Sequence, residues 1–172
     1  MIVACLLSVS TDKWEARWRE QHRTHRLAFD RYSDQPEARA EVITRLEAGE
    51  FDAAIVRVYP GEEAKILGSL PLHAVTLYDE NQSVLLTKDH PFAEESEIAG
   101  ELIDDLELRS ALLPAPVARD ALQKDLVAVP VTGLEPSRVV CVWLVSRDDD
   151  DVQDFIGLLR GRTGRSSRIQ AD

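Results

Sequence analysis

The sequence is poor in cysteine and short of basic residues relative to acidic ones. It has two cysteines, Cys5 and Cys141, and each lies in an apolar run, which indicates buried free thiols and a reducing compartment rather than a disulfide framework. With 20 Lys and Arg against 31 Asp and Glu, the formal net charge is −11. This charge has the wrong sign for contact with phosphates, so we expect no direct DNA binding by this chain.

Long hydrophobic runs are also missing. The N-terminal apolar run, Ile2 to Leu7, is too short to span a bilayer, and no basic residue precedes it as in a signal peptide. We therefore expect a cytoplasmic protein with no membrane partner. At 172 residues, the chain has the length of one domain, or of one domain with a small appendage.

Catalytic and metal-binding motifs are absent from the sequence. There is no G-x-S-x-G, no P-loop and no G-x-G-x-x-G, so we expect neither an enzyme nor a cofactor. His22 and His25 have helical spacing without further ligands nearby, which favours a solvated helix end over a zinc site. The aspartate run from Asp148 to Asp151 lacks the glycine and distal glutamate of a calcium loop. It coincides with a helix start, which favours capping of the helix dipole.

The stretch from Leu46 to Arg57, Leu-Glu-Ala-Gly-Glu-Phe-Asp-Ala-Ala-Ile-Val-Arg, organises the rest of the sequence. Apolar residues recur at helical spacing up to Leu46, and Gly49 stands where a left-handed residue ends a helix. The run Ala53 to Val56 has no polar residue, which is typical of a strand buried on both faces. Arg57 ends this run at the carboxyl end of the strand, where open α/β sheets bind ligands.

The first half of the chain alternates strand and helix. Ile2 to Val9 is predicted to be a central strand, and a helix from about Asp12 to His22 follows, capped by Thr11 or Asp12. Arg26 to Tyr32 is predicted to be a second strand, before the helix and strand of the Leu46 to Arg57 corner. The resulting β-α-β-α-β order implies parallel strands joined by right-handed crossovers.

Shorter secondary-structure elements are predicted in the second half of the chain. Strands are expected at Leu70 to Tyr78, Ser83 to Lys88 and Leu126 to Val131, and Pro130 makes the last an edge or bulged strand. Arg138 to Val145 is the most β-prone run and should be a central strand. A helix follows and stops at Gly161, and the basic tail after it is expected to be a solvated, disordered end.

Several segments, in their order, resemble the effector-binding domain of LysR-type transcriptional regulators, in the style of actinobacterial members. They are Cys-Leu-Leu-Ser-Val-Ser-Thr-Asp-Lys-Trp, Leu-Glu-Ala-Gly-Glu-Phe-Asp-Ala-Ala-Ile-Val-Arg, Leu-Pro-Leu with Leu-Tyr-Asp-Glu, Lys-Asp-His-Pro-Phe-Ala, and Phe-Ile-Gly-Leu-Leu-Arg-Gly-Arg-Thr. The resemblance covers nearly the whole chain. It implies an α/β fold like that of type 2 periplasmic binding proteins, with a mixed, mostly parallel sheet flanked by helices and two lobes that close on a small effector.

By this resemblance the two lobes are unequal. Residues 1–89 and 125–172 correspond to an intact first lobe, and residues 90–124 to the remnant of a reduced second lobe. The family's N-terminal winged helix-turn-helix and linker helix have no counterpart in the sequence. We therefore expect a regulatory module without its own DNA-binding domain.

The resemblance also implies a ligand site. Ser10 and Thr11 correspond to residues at the amino end of the first helix that contact anionic effectors, and the N–H groups there suit a carboxylate. Helix capping explains these two side chains equally well. Ser8, Arg57 and Tyr59 complete the predicted site, with Arg57 as its main charged group. The alternative for Arg57 is a structural ion pair with Asp52, Glu62 or Glu63.

Two functions remain open at this point. One is a LysR-like regulatory module that binds a small carboxylate or other anionic effector, or acts in transcription regulation through a partner. The other is a protein-interaction module without a small-molecule ligand. Loss of most of the second lobe would expose apolar surface that this lobe once buried, and such surface favours association. The resemblance implies a homodimer formed by the first helix, with Trp14 and Trp18, and by the neighbouring edge strand. A heterodimer with a full-length LysR-type regulator is the other expected assembly.

Overall fold

The computed structural model describes residues 1–68 and 70–161, so the basic tail predicted after Gly161 lies outside the described residues. The chain forms two compact units. Among the described residues, the first contains Met1–Arg57, Glu62–Leu77 and residues 139–161, and the second contains Val58–Gly61 and Tyr78–Arg138.

The helices and strands follow one another in an α/β order. They are β1 (Ile2–Leu6), α1 (Asp12–Gln21), β2 (Ala28–Tyr32), α2 (Pro36–Glu47), β3 (Ala53–Val58), α3 (Glu63–Leu67), β4 (Leu72–Glu80), β5 (Gln82–Thr87), β6 (Ile98–Ala99), β7 (Leu112–Pro114), α4 (Ala115–Asp120), β8 (Leu126–Thr132), β9 (Ser137–Leu144) and α5 (Asp150–Leu159). Short 3₁₀ turns lie at Gly100–Leu102, Arg109–Ala111 and Val145–Arg147. Within the described ranges, no helix is long and apolar enough to cross a membrane.

The first unit is built on a five-stranded sheet in the order β2-β1-β3-β9-β4. β1 pairs in parallel with β2, from Ile2 with Ala28 to Leu6 with Tyr32, and in parallel with β3 on its other side. The predicted β-α-β-α-β order with parallel strands is therefore confirmed. From β1 the chain moves to β2 on one side and then crosses back past β1 to β3. Right-handed crossovers in these opposite directions place α1 and α2 on opposite faces of the sheet.

The core of the first unit explains the long apolar runs of the sequence. Every residue of β3 is buried, because β1 and β9 flank the strand and helices cover the sheet. Trp18 of α1 is 2% exposed and packs edge-on against Phe155 of α5, with ring centroids 6.3 Å apart. Cys5 and Cys141 lie in this cluster as buried free thiols, as predicted.

The second unit has a four-stranded sheet of its own, in the order β6-β8-β5-β7. β5 and β8 pair antiparallel, from Ser83 with Pro130 to Thr87 with Leu126. Their apolar side chains form a separate core, which includes Val84, Leu86, Val129 and Val131. Both strands are predicted from the sequence to lie in the first lobe, but this pairing places them in the second unit. That unit consequently extends well beyond residues 90–124.

The edge-strand prediction for Pro130 holds only locally, because β8 as a whole lies between β6 and β5. The strand tolerates the proline for a local reason. β6 pairs with β8 only at Val131 and Thr132, so Pro130 is paired only with β5 and needs no N–H group on its other side.

Candidate functional site

The structure brings two predicted site residues together at the carboxyl ends of β1 and β3. Ser8 follows β1, and its hydroxyl accepts a hydrogen bond from Nη2 of Arg57 at 3.1 Å. β1 and β3 are adjacent strands whose connections leave in opposite directions. Such a topological switch point is where open α/β sheets form a ligand crevice.

The sequence predicts that Arg57 ends β3 and is available to a ligand, and the structure does not bear this out. β3 continues through Val58, and the Arg57 side chain is fully buried at 0% exposure. Its Nη1 donates to Oδ2 of Asp34 at 2.5 Å, so a protein carboxylate compensates the charge. The sequence predicts a structural ion pair as the alternative role of Arg57, and the structure shows such a pair with Asp34.

A second arginine extends this buried ion pair. Nε of Arg39 lies 3.7 Å from Oδ1 of Asp34, and Nη1 of Arg39 donates to Oε2 of Glu62 at 3.0 Å. The arrangement alternates two cations with two anions, so the charges compensate one another. Burial is tolerated for Arg57 because Asp34 lies beside it, and for Arg39 because it contacts both carboxylates.

Thr11 precedes α1 but does not cap it through its side chain. Its φ of −105° and ψ of −8° are helical rather than extended, and its hydroxyl donates to Oε1 of Glu15 at 2.9 Å. The predicted side-chain cap is therefore wrong for Thr11, and Asp12, the alternative, is the first residue of α1 rather than its N-cap. Ser10 is exposed immediately before it. The amino end of α1 thus has an exposed hydroxyl beside it and no side-chain cap from Thr11.

Sequence reasoning missed Arg31, an exposed residue of β2 that lies beside this helix end. Its Nη2 donates to the carbonyl oxygens of Leu7 at 2.8 Å and Val9 at 2.7 Å, and its Nη1 donates to Oγ1 of Thr11 at 3.2 Å. Arg31 holds the loop between β1 and α1 and adds a positive charge there. The parallel pairing of β1 and β2 could have indicated it, because both strands end at the same edge of the sheet.

The fifth predicted residue, Tyr59, is in a different unit from the other four. It is half-buried and belongs to the Val58–Gly61 segment of the second unit. The first unit alone therefore places Ser8, Ser10, Thr11 and Arg57 at one sheet edge.

The histidines and aspartates near α5 have structural contacts. His25 Nδ1 lies 3.0 Å from Asp151 Oδ1, and Asp149 caps α5 by accepting a hydrogen bond from the Val152 N–H at 3.0 Å. The capping interpretation of the aspartate run is confirmed. In the parts of the chain that the structure describes, no group of three or more His, Cys, Asp or Glu side chains could hold a metal ion.

The thiols of Cys5 and Cys141 are expected to be unreactive. Burial raises the pKa of the Cys5 thiol to about 12, although the positive charge of Arg31 opposes the shift. Burial also raises the pKa of Cys141, with a contribution from Cys5. A thiol that stays protonated at neutral pH is a poor nucleophile, so neither cysteine suits covalent catalysis.

No protein-family model matches the sequence, and no curated protein matches it. Solved structures do share the fold. A regulatory domain of OxyR from Pseudomonas aeruginosa aligns with a TM-score of 0.62 and 16% identity, over 95% of this chain and 98% of that chain. The BenM effector-binding domain, solved with its effector benzoate, aligns with a TM-score of 0.62 and 13% identity, over 94% of this chain and 90% of that one.

A third structure, HinK, a LysR family transcriptional regulator from Pseudomonas aeruginosa, aligns with a TM-score of 0.63 and 14% identity, over 94% of this chain and 70% of that chain. Together these likenesses confirm the expected α/β fold, which is that of LysR effector-binding domains. These neighbours are regulator domains rather than enzymes.

Proposed function

We propose that this chain is a LysR-like effector-binding module that binds a small carboxylate at the carboxyl edge of the first unit's sheet. It acts in transcription regulation through a partner. The observation that carries this proposal is the position of Arg31 and the amino end of α1 beside the β1–β3 switch point. The shared fold and the benzoate bound to BenM support a carboxylate as the ligand class.

The chemistry of this edge suits an anion. The first-turn N–H groups of α1 point toward the helix end, and the helix dipole favours negative charge there. Ser10 is exposed and offers a hydroxyl donor, while Arg31 supplies an exposed cation. Each charge-assisted hydrogen bond to the carboxylate contributes about 1.5–3 kcal/mol when it is well formed.

The remaining predicted residues have different parts in this proposal. Ser8 and Arg57 form the polar base of the site, with Arg57 fixed by Asp34. Thr11 orients the loop through its bonds to Arg31 and Glu15. The role of Tyr59 as a ligand contact rests on the sequence resemblance alone.

A thermal-shift screen of small carboxylates and aromatic acids tests the function, with benzoate as the first probe and benzamide as its uncharged control. A ligand present at 100 times its Kd stabilises the folded state by about 2.7 kcal/mol. An acid that binds should therefore raise the melting temperature while the matched amide does not. A panel in which every acid behaves like its amide would contradict the proposal.

A second function, self-association, is favoured by exposed apolar residues near an edge strand. β2 is an edge strand of the first sheet, and Ile2 and Leu7 are 46% and 61% exposed. Trp18 is in the core and cannot contact a partner, whereas Trp14 is half-buried against Phe29, with ring centroids 6.4 Å apart. A homodimer, or a heterodimer with a full-length LysR-type regulator, would use β2 and its surroundings.

A further inference from the structure

We propose that the groove between α2 and α3 is a second ligand site, which takes a small apolar monocarboxylate. The groove has a volume of about 350 Å³ and is lined by Pro36, Arg39, Ala40, Ile43, Glu62, Lys65 and Ile66. This volume lies within the range of small-molecule pockets, about 300–1,000 Å³. All lining residues belong to the first unit, so the groove is complete without the second unit.

One wall of the groove is apolar. Pro36, Ala40 and Ile43 recur at helical spacing and share one face of α2, and Ile66 of α3 also lines the cavity. These side chains offer hydrocarbon contacts and few hydrogen-bonding groups. Transfer of an aromatic ring or a short acyl chain from water to this wall would therefore lower the free energy.

The charged lining residues determine the head group of the ligand. Arg39 donates to Glu62 at 3.0 Å, so the carboxylate of Glu62 is already compensated. Lys65 is exposed and forms no ion pair with any residue in the described ranges 1–68 and 70–161. The groove therefore combines an apolar wall with one uncompensated positive charge, which favours an anionic head group over a cationic one.

The groove is also distinct from the effector edge proposed above. Its lining residues come from α2, α3 and the residue before α3, whereas the effector edge uses the β1–α1 loop and Arg31. The two sites can therefore be tested by separate substitutions. The groove proposal goes beyond the proposed function and does not depend on it.

Isothermal titration calorimetry with hexanoate tests the groove, with hexanamide as the uncharged control. Ala40→Phe fills the groove from an exposed position of α2, and Ala16→Phe places the same side chain on an exposed position of α1 as its control. We expect hexanoate binding to be lost in Ala40→Phe and unchanged in Ala16→Phe. Equal hexanoate affinity in these two variants, or no binding to the unmodified chain, would overturn the proposal.

Charge reversal gives a second test that does not depend on the folding of Ala40→Phe. Lys65→Glu should weaken hexanoate binding about tenfold, equivalent to about 1.4 kcal/mol, whereas Lys124→Glu in the second unit should leave it unchanged. Equal affinities in these two variants would refute a role for Lys65 and with it the proposal. If Arg31→Ala abolishes hexanoate binding and Ala40→Phe does not, the acid binds at the effector edge. The groove proposal then fails while the proposed function stands.

Discussion

The guanidinium of Arg57 donates to the carboxylate of Asp34 across 2.5 Å, and Arg57 is fully buried. Because of this pair, Arg31 is a better candidate than Arg57 for contact with a charged ligand. The charge of Arg57 on β3 is compensated from within the protein, whereas Arg31 is exposed on β2, two strands away. We therefore expect Arg57 to contribute mainly to stability and Arg31 mainly to ligand affinity.

The first prediction concerns the partner of Arg57. Asp34→Asn should lower the free energy of unfolding by about 3 kcal/mol, because it removes a carboxylate that contacts the buried guanidinium of Arg57. Chemical denaturation of Asp34→Asn, of the control variant below and of the unmodified chain measures the effect. Asp104→Asn is the matched control, because it removes an ion pair with Arg109 whose side chains are 66% and 67% exposed. That change should cost at most about 1 kcal/mol. Similar losses in the two variants would show that Arg57 does not depend on Asp34.

The second prediction concerns Arg31. Arg31→Ala should weaken binding of an acid found in the screen by about 1.5–3 kcal/mol, since it removes a charge-assisted hydrogen bond at the helix end. Arg31→Lys should restore the affinity only in part, because an ammonium cannot hold two carbonyl oxygens and a hydroxyl with the same fixed geometry. Calorimetric titrations measure both variants, with Arg109→Ala as a control in the second unit. Unchanged affinity in Arg31→Ala would exclude Arg31 from the site.

The third prediction is a pH dependence. The pKa of Cys5 rises from its ordinary value of 9.0 to about 12 on folding, because burial disfavours the thiolate. Between these two values the unfolded chain loses the thiol proton and the folded chain keeps it, so stability should fall as pH rises through this window. Cys5→Ala should flatten that part of the stability curve. A curve of the same slope in Cys5→Ala would contradict the burial effect.

The same burial predicts slow thiol chemistry. Ellman's reagent at pH 8 should react with neither Cys5 nor Cys141 in the folded chain and with both after denaturation, because a protonated, buried thiol is unreactive. Absorbance of the released product measures the reaction. Rapid labelling of the folded chain would show that one thiol is accessible.

The fifth prediction concerns self-association through the edge of the first sheet. Light scattering should report a dimer at protein concentrations of about tens of micromolar, and Leu7→Asp should shift it toward monomer. Leu122→Asp is the control, because Leu122 is also exposed, at 44%, but lies in the second unit. A monomer in the unmodified chain would count against the homodimer.

The sequence predicted the first unit well because its information there is local. Helical spacing up to Leu46, the glycine after α2 and the unbroken apolar run of β3 each depend on residues close in sequence. The order of these elements then fixed the parallel strands. Burial of Cys5 and Cys141 followed from the same apolar runs.

The failures came from contacts between distant residues. Asp34 meets Arg57 only because the end of β2 and the end of β3 reach the same edge of the sheet, and no local pattern indicates that pair. Antiparallel pairing of β5 with β8 likewise joins segments far apart in sequence, so the local sequence pattern does not indicate that these strands belong to the second unit. Arg31 was missed because a charged residue in an alternating strand normally faces solvent.

An NMR titration of the ¹⁵N-labelled chain with benzoate tests the central claim most directly. It should be done in the Ala40→Phe background, so that the α2–α3 groove is closed. The account predicts saturable shifts of the backbone amides from Ser10 to Trp14, at the amino end of α1, and of the Arg31 side chain, with no such shifts for benzamide. Saturable shifts confined to other parts of the chain, or equal responses to benzoate and benzamide, would contradict a carboxylate site at the β1–β3 switch point.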